Sequence, residues 1–321
     1  MVDRTPSGTR DVLPDEMREL RALTERVRAV FEHAGYGEVY TPTLEYERTF
    51  ERPGARVGSP YRLFDEHGNV LVLRSDMTVP IARLVGSRYA NAPTPLRFCY
   101  FAHAYRSVRP QRGQSREFMQ AGVELIGAPG PQGTAEALTI LCDALDAAGL
   151  ESFRIGVGDV TLYPSLLESL GIDADTRERI IGELATGDFV GVEREVGRLA
   201  LTDADAELLL RVPRIRGGAH VLADLDGPLQ QAGTGMHELL GLLAPRVAAR
   251  VIFDFGLVHS LDYYTGAVFQ VYDPAYGMPL GSGGRYDQLL AGFGRPLPAV
   301  GFALDVERVH IAMTAEERRR A

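Results

Sequence analysis

Two long runs of strand-forming residues, 96–106 and 116–126, constrain the fold of this 321-residue chain more than any other feature. Apolar and aromatic side chains dominate both runs, and a short polar loop, 107–115, separates them. A connection this short joins antiparallel strands, because parallel neighbours need a crossover of a dozen or more residues. The pattern therefore predicts a long β-hairpin within an antiparallel sheet.

Helical and strand-like patterns surround this hairpin. Apolar residues three to four positions apart predict a first helix that starts near Asp11 and Pro14 and ends at Gly35. A strand is predicted over 36–44, at an edge or boundary because Pro42 cannot donate to a ladder. The other predicted strands are 62–64, 70–73, 250–254, 267–272 and 299–304. The other predicted helices are 78–89, 134–148 and one that starts at 305.

Three further segments complete the predicted architecture. The Leu/Ala-rich stretch at about 163–245 has helical spacing and predicts a helical insertion. Residues 281–284, Gly-Ser-Gly-Gly, predict a turn, and the charged tail 316–320 is expected to fray. Strands paired in hairpins, with helices between them, indicate an α/β protein of the α+β type. We expect one domain over 1–321.

Composition excludes several classes of function. The formal charge of −9 gives no sign of the basic face that binds a phosphate backbone. All basic side chains other than histidine are arginine, so no lysine is present to form a Schiff base or a P-loop contact. Cys99 and Cys142 have no metal-like spacing and are expected to be reduced. No metal or cofactor is predicted. Without a long apolar run or secretory signal, a cytoplasmic location is expected.

Polar side chains occur on strands that otherwise look like core. Gln120, Gly122 and Glu124 share one strand face by period-two alternation, and together they suit an ammonium or imidazole group. Arg106 and Arg116 flank the polar loop and have the geometry to grip an anion. Taken singly, such residues are more often a solvated face or part of the core.

Taken together, these segments resemble the histidyl-tRNA synthetases of the class II aminoacyl-tRNA synthetase family. The resemblance rests on GTRDVLP, YRSVRPQRGQSREFMQAGVELIG, LDYYTGAVFQ and AVGFALDVERV, and it spans essentially the whole chain. It implies a class II synthetase-like antiparallel sheet flanked by helices, with the helical insertion between the second and third motifs. It also implies dimerisation through the N-terminal helix and the Pro42 region.

Departures from the synthetase pattern concern the groups used in amino-acid activation. Val108 replaces a glutamate of motif 2, Gln114 replaces a phosphate-binding arginine, and His259 replaces the arginine that precedes Asp-Tyr-Tyr. Neutral side chains do not supply the fixed bidentate cation that such chemistry uses. We therefore expect no adenylate formation. A C-terminal anticodon-binding domain and tRNA binding are also not expected.

The residues that resemble the synthetase amino-acid pocket are better retained. The predicted histidine-binding residues are Asp76, Thr78, Gln120, Glu124, Tyr263 and Tyr264. The predicted residual contacts to an anion or nucleotide are Arg106, Arg116, Phe118 and Arg308. The segments RSDMTVPIAR and REFMQAGVELIG resemble the regulatory subunits of ATP phosphoribosyltransferase more closely than the synthetases.

That second resemblance implies a non-catalytic subunit in a hetero-octamer with the short-form catalytic subunit of ATP phosphoribosyltransferase. It further implies that the chain activates its partner and confers feedback inhibition by L-histidine in the first step of histidine biosynthesis. The main alternative is an amino-acid-activating ligase that acts on a non-tRNA acceptor. Two questions stay open at this point: whether ATP binds, and whether the effector binds in the pocket or at the subunit junction.

Overall fold

The computed structural model describes residues 5–52, 55, 60–107, 115–223, 225, 227–257 and 263–320. The helices within these ranges are α1 Pro14–His33, α2 Glu47–Phe50, α3 Thr78–Arg88, α4 Gln132–Ala148, α5 Leu162–Ser169, α6 Ala174–Thr186, α7 Phe189–Val196, α8 Asp203–Arg211, α9 Gln230–Leu242, α10 Pro245–Ala248 and α11 Val306–Arg320. The strands are β1 Gly37–Glu38, β2 Leu44–Tyr46, β3 Arg62–Phe64, β4 Val70–Leu73, β5 Leu96–Tyr105, β6 Glu117–Ile126, β7 Arg154–Asp159, β8 Arg216–Gly217, β9 Val251–Asp254, β10 Ala267–Tyr272, β11 Gly281–Arg285 and β12 Ala299–Asp305.

A large mixed sheet organises the described part of the chain. Its strand order is β1-β5-β6-β12-β11-β10-β7-β9-β8, and a smaller sheet has the order β2-β4-β3. The β5–β6 hairpin predicted from the sequence is present, and β6 continues into antiparallel pairing with β12. Among the described strands, only the β1–β5 and β7–β9 pairs are parallel. The predicted fold class, a mainly antiparallel sheet flanked by helices, is confirmed.

The two faces of the sheet carry different kinds of side chain. Val123 and Leu125 of β6 lie in the larger apolar core, together with residues of α1 and α4. The alternate residues, Gln120 and Glu124, point to the opposite face, where α3 and an aromatic cluster pack. This is the alternation expected for a strand that is buried on both sides. It places two polar side chains inside the second core.

Helices α5 to α10 occupy most of 162–248, where the sequence predicts a helical insertion. Apolar residues of these helices pack into the same large core as α1 and α4. No helix in the described ranges is long and apolar enough to cross a membrane.

The glycine-rich segment 281–284 was wrongly predicted as a turn. It forms the central strand β11, paired with β10 on one side and β12 on the other. A Cβ at Gly283 would lie 2.4 Å from the carbonyl oxygen of Gly301 and 2.5 Å from the Phe269 ring. Glycine here provides close packing between strands and rings, a use that composition alone does not separate from turn formation.

The fold differs from the sequence-based expectations in three smaller ways. The predicted strand 36–44 is two short strands, β1 and β2, with Pro42 in neither. Strand β7 was not predicted, although it pairs with β10 over six residues. The tail does not fray as predicted: α11 extends to Arg320, and buried Glu316 accepts hydrogen bonds from the backbone of Glu151 and Ser152.

Candidate functional site

A polar recess lies on the second face of the sheet, between β6, β11, β12 and the start of α3. Its free volume is about 30 Å³. The lining residues are Asp76, Thr78, Tyr100, Arg106, Gln120, Tyr263, Tyr264, Ser282, Tyr286, Gly301, Phe302 and Ala303. We call this space the inner recess. The structure thus brings together five of the six predicted histidine-binding residues, and the sixth, Glu124, lies directly behind them.

Asp76 is a buried carboxyl at the start of α3. Its oxygens accept hydrogen bonds from the Val79 backbone N–H at 3.3 Å and from the Tyr263 hydroxyl at 3.4 Å. Burial raises the pKa of Asp76 to about 6, and the Val79 bond and the charge of Arg106 oppose that shift. A desolvated carboxyl of this kind favours a cationic ligand, because a nearby positive charge stabilises its ionised form.

Glu124 is the most enclosed polar group of the site, with 1% of its surface exposed. One oxygen accepts a hydrogen bond from the Thr78 hydroxyl at 2.8 Å, and the other accepts one from the Tyr286 hydroxyl. No arginine or histidine of the described residues lies within ion-pair distance of it. Burial raises the pKa of Glu124 to about 8. The carboxyl is held by hydroxyl groups alone, without a counter-charge among the residues that the structure describes.

Gln120 supplies a hydrogen-bond acceptor to the inner recess. Its side chain is 6% exposed, and its buried Oε1 atom has no hydrogen-bond partner among the described residues. Buried polar atoms in folded proteins are nearly always paired with protein, water or ligand. Because Gln120 lines the recess, this oxygen can accept a hydrogen bond from a molecule that enters it.

Three tyrosine side chains, those of Tyr263, Tyr264 and Tyr286, form part of the wall of the recess. Tyr263 contacts Tyr264 and Tyr286 edge to face, at centroid distances of 4.9 and 5.8 Å. Burial raises the pKa of all three phenols, so they remain neutral hydrogen-bond donors. The wall combines apolar ring surface with hydroxyl groups, as expected for a site that accepts a small polar ring.

A larger cavity of about 280 Å³ adjoins the inner recess and shares Arg106, Gln120, Ser282 and Ala303 with it. We call this space the outer cavity. Its remaining lining residues are Ser115, Phe118, Gln270, Pro279, Gly281, Asp305 and Arg308. The Arg106 guanidinium lies 4.9 Å from the centroid of the Phe118 ring and donates to the Ser75 carbonyl at 3.3 Å. Arg106 therefore stands where the two spaces meet.

Some predicted site residues are placed elsewhere. Arg116 lines neither space: its backbone N–H donates to the Gly8 carbonyl at 2.8 Å, and its side chain packs beside Gly8. The anion grip by Arg106 and Arg116 together stays a prediction. Val108, Gln114 and His259 lie outside the described residues. No group of three or more potential metal ligands occurs in the described part of the chain.

Sequence reasoning missed six lining residues of the inner recess: Tyr100, Ser282, Tyr286, Gly301, Phe302 and Ala303. Tyr286 lies in the Gly-Gly-Arg-Tyr-Asp segment that the sequence singles out, but its role depends on a neighbour 162 positions away. Tyr100 occupies the space opposite Gly122, where an added Cβ would lie 2.5 Å from its hydroxyl. Ser282 and Gly301 lie on β11 and β12, which pair with each other, and a single sequence does not reveal that pairing.

The stability of the ligand-free protein should depend on pH through Glu124. Its folded-state pKa, about 8, lies above the reference value of 4.5. The stabilisation from this group is therefore fully present below pH 4.5 and is lost as the pH rises through about 8. Relative to Glu124→Gln, the wild-type free energy of unfolding should fall by up to about 1.4 kcal/mol per pH unit across that window. Urea unfolding of both proteins at several pH values measures this difference in the free energy of unfolding. A difference that does not change with pH would contradict the raised pKa of Glu124.

Comparison of the chain with known proteins identifies the family to which it belongs. The family model for histidyl-tRNA synthetase matches residues 8–309. An ATP phosphoribosyltransferase regulatory subunit from Symbiobacterium thermophilum is 42% identical, with 96% of this chain and 79% of the relative covered. The regulatory subunit from Rubrobacter xylanophilus is 41% identical, and the match covers 95% of this chain and 75% of the relative.

Solved structures agree with the sequence relatives. A Bacillus halodurans protein, described as an ATP phosphoribosyltransferase regulatory subunit/histidyl-tRNA synthetase, has a TM-score of 0.89 at 33% identity, covering 98% of this chain and 84% of that one. The histidyl-tRNA synthetase of Nostoc sp. PCC 7120 has a TM-score of 0.78 at 21% identity, covering 96% and 74%, a likeness of fold alone. The chain therefore has the histidyl-tRNA synthetase-like fold and belongs to the family of ATP phosphoribosyltransferase regulatory subunits.

Proposed function

We propose that this chain is a non-catalytic regulatory subunit of ATP phosphoribosyltransferase and that its effector, L-histidine, binds in the inner recess. The family carries the first part of the proposal, since the relatives are named as regulatory subunits of that enzyme. The buried Oε1 of Gln120, which lines the recess together with Asp76 and has no partner among the described residues, carries the second part.

The chemistry of the recess suits a small zwitterion with a ring. Asp76 and Gln120 offer acceptors to an ammonium group, and Thr78 and Tyr286 hold the Glu124 carboxyl at the closed end. Arg106, at the mouth, is placed to face a carboxylate. Histidine has all the matching groups: an ammonium, a carboxylate and an imidazole that exchanges protons near neutral pH.

The small size of the inner recess means that histidine binding requires a conformational change of the protein. A free volume of about 30 Å³ admits water but not an amino acid. Histidine must therefore displace lining side chains as it enters from the outer cavity. A ligand regulates a protein only through unequal affinity for two conformations, typically worth about 1–3 kcal/mol. Opening of the recess provides such a pair of conformations.

The partner in this proposal is the short-form catalytic subunit of ATP phosphoribosyltransferase, in a hetero-octamer built on dimers of this chain. The test mixes purified catalytic subunit with this chain, separates complexes by size and measures formation of phosphoribosyl-ATP. We expect co-elution and an increase in turnover that depends on this chain. Separate elution with unchanged turnover would contradict the regulatory assignment.

The second candidate function is an amino-acid-activating ligase for a non-tRNA acceptor. Arg106, Phe118 and Arg308 favour it, because all three line a cavity that opens into the amino-acid recess. Histidine-dependent exchange of pyrophosphate into ATP separates the two candidates. We expect exchange at the level of a no-protein blank, whereas exchange that rises with protein concentration would establish the ligase.

A further inference from the structure

The outer cavity has the residue types of an anion site but a different charge balance. Arg106 and Arg308 line it together with the Phe118 ring, a combination that suits a nucleotide. Asp305 lines the same cavity and also a neighbouring groove that contains Arg308 and Glu307. A carboxylate in the wall of an anion site opposes the charge that the arginines supply.

Asp305 engages Arg308 directly. Its Oδ2 atom lies 3.0 Å from Arg308 Nε, and Arg308 Nη1 donates to the Pro279 carbonyl at 2.9 Å. The neighbouring Glu307 accepts the Met119 backbone N–H, and burial together with Asp305 raises the pKa of Glu307 to about 7. Burial also raises the pKa of Asp305, and the charge and backbone N–H of Arg308 oppose that shift. By geometry, Asp305 is the carboxyl that pairs with Arg308.

Asp305 also caps helix α11. Its other oxygen, Oδ1, accepts the backbone N–H of Arg308 at 3.1 Å. Asparagine and serine cap helices about as well as aspartate, because the cap needs an acceptor atom and no charge. The helix cap therefore accounts for a short polar side chain at position 305, but it does not require that side chain to be a carboxylate. The ion pair made by Oδ2 is what distinguishes aspartate from its neutral equivalents here.

We propose that Asp305 determines the ligand specificity of the outer cavity by neutralising Arg308 and repelling polyphosphate. With Arg308 paired, Arg106 faces the single carboxylate of a ligand in the inner recess, and a nucleoside triphosphate is rejected. The inference rests on the proposed function only for the identity of the inner ligand. It explains how a synthetase-like site holds an amino acid without the nucleotide that activation requires.

The test measures ATP binding by equilibrium dialysis, with Mg²⁺ present, for the wild type and Asp305→Asn. The amide keeps the helix cap and removes the negative charge that opposes a phosphate group beside Arg308. We expect the Kd for ATP to fall about 10- to 100-fold in Asp305→Asn, the scale of one additional charge-assisted hydrogen bond. In the double variant Asp305→Asn/Arg308→Gln, the Kd should return to within about threefold of the wild-type value.

Controls separate this effect from general changes in charge or folding. Glu317→Gln removes one negative charge from an exposed position on the same helix and should leave the Kd for ATP unchanged. Thermal unfolding checks each variant, and Asp305→Ser replaces the asparagine variant if that one does not fold. Equal ATP affinity in the wild type and Asp305→Asn would overturn the proposal, as would tighter binding that persists without Arg308. A parallel histidine titration of the wild type tests the proposed function separately.

Discussion

Replacing Glu124 with glutamine is expected to raise the Kd for L-histidine by at least about 100-fold. The carboxyl accepts hydroxyl hydrogen bonds from Thr78 and Tyr286 on its two oxygens. An amide accepts on one side only and presents a donor to the other hydroxyl, leaving buried polar groups mismatched at about 1–3 kcal/mol. The carboxyl can also ionise when an ammonium group binds nearby, because the positive charge lowers its pKa from the ligand-free value of about 8, whereas an amide cannot. Isothermal titration of the wild type and variant measures both affinities.

Glu117→Gln is the matched control for this prediction. Glu117 lies on the same strand, β6, but it is exposed, and its carboxyl accepts a hydrogen bond from the Tyr105 hydroxyl at 3.2 Å. Its replacement should leave the Kd for histidine within about twofold of the wild-type value. Binding by Glu124→Gln that equals the Glu117→Gln value, in a folded protein, would remove Glu124 from the site.

Gly301→Ala should have the largest effect on folding among substitutions at the site. A Cβ at Gly301 would lie 1.9 Å from Glu124 Oε2 and 2.5 Å from the Val123 carbonyl oxygen. The methyl group must displace the buried carboxyl or force β12 away from β6, because both distances are far shorter than a van der Waals contact. We expect the free energy of unfolding to fall by about 3 kcal/mol, measured by urea unfolding, and histidine binding to be lost.

Gly235→Ala makes the same chemical change but is expected to stabilise the protein. Gly235 lies within α9 and is exposed, and a Cβ at this position would have no heavy atom of the described residues within 4 Å. Alanine in a helix interior is favoured over glycine, so this variant should be more stable by about 0.5–1 kcal/mol. Equal effects of the two substitutions would refute the packing argument at Gly301.

Strand β6 shows which features of the site could be predicted from the sequence. Alternation along 116–126 predicts that Gln120 and Glu124 share a face, and the structure has them so, with Val123 on the other. Local rules suffice here because the period of a strand is fixed by backbone geometry. The order of the motifs then supplied the fold, since the whole-chain resemblance to the synthetases constrains how the strands are arranged.

Contacts between side chains that are distant in the sequence could not be predicted from local patterns such as strand alternation. The sequence places Glu124 against a ligand ammonium, whereas the structure places it behind the lining, held by Thr78 and Tyr286. Gly301 and Tyr286 join the site through pairing of β12 with β6 and β11, which no local pattern encodes. The ion pair between Asp305 and Arg308 likewise becomes visible only when both side chains are placed.

Histidine inhibition of the reconstituted complex tests the central claim most directly. The assay titrates L-histidine into short-form catalytic subunit combined with wild-type chain or with Glu124→Gln and follows phosphoribosyl-ATP. If the inner recess is the effector site, both complexes will be active without histidine, and only the wild-type complex will be inhibited at low histidine concentration. Equal inhibition of the two complexes would place the effector elsewhere and contradict the account.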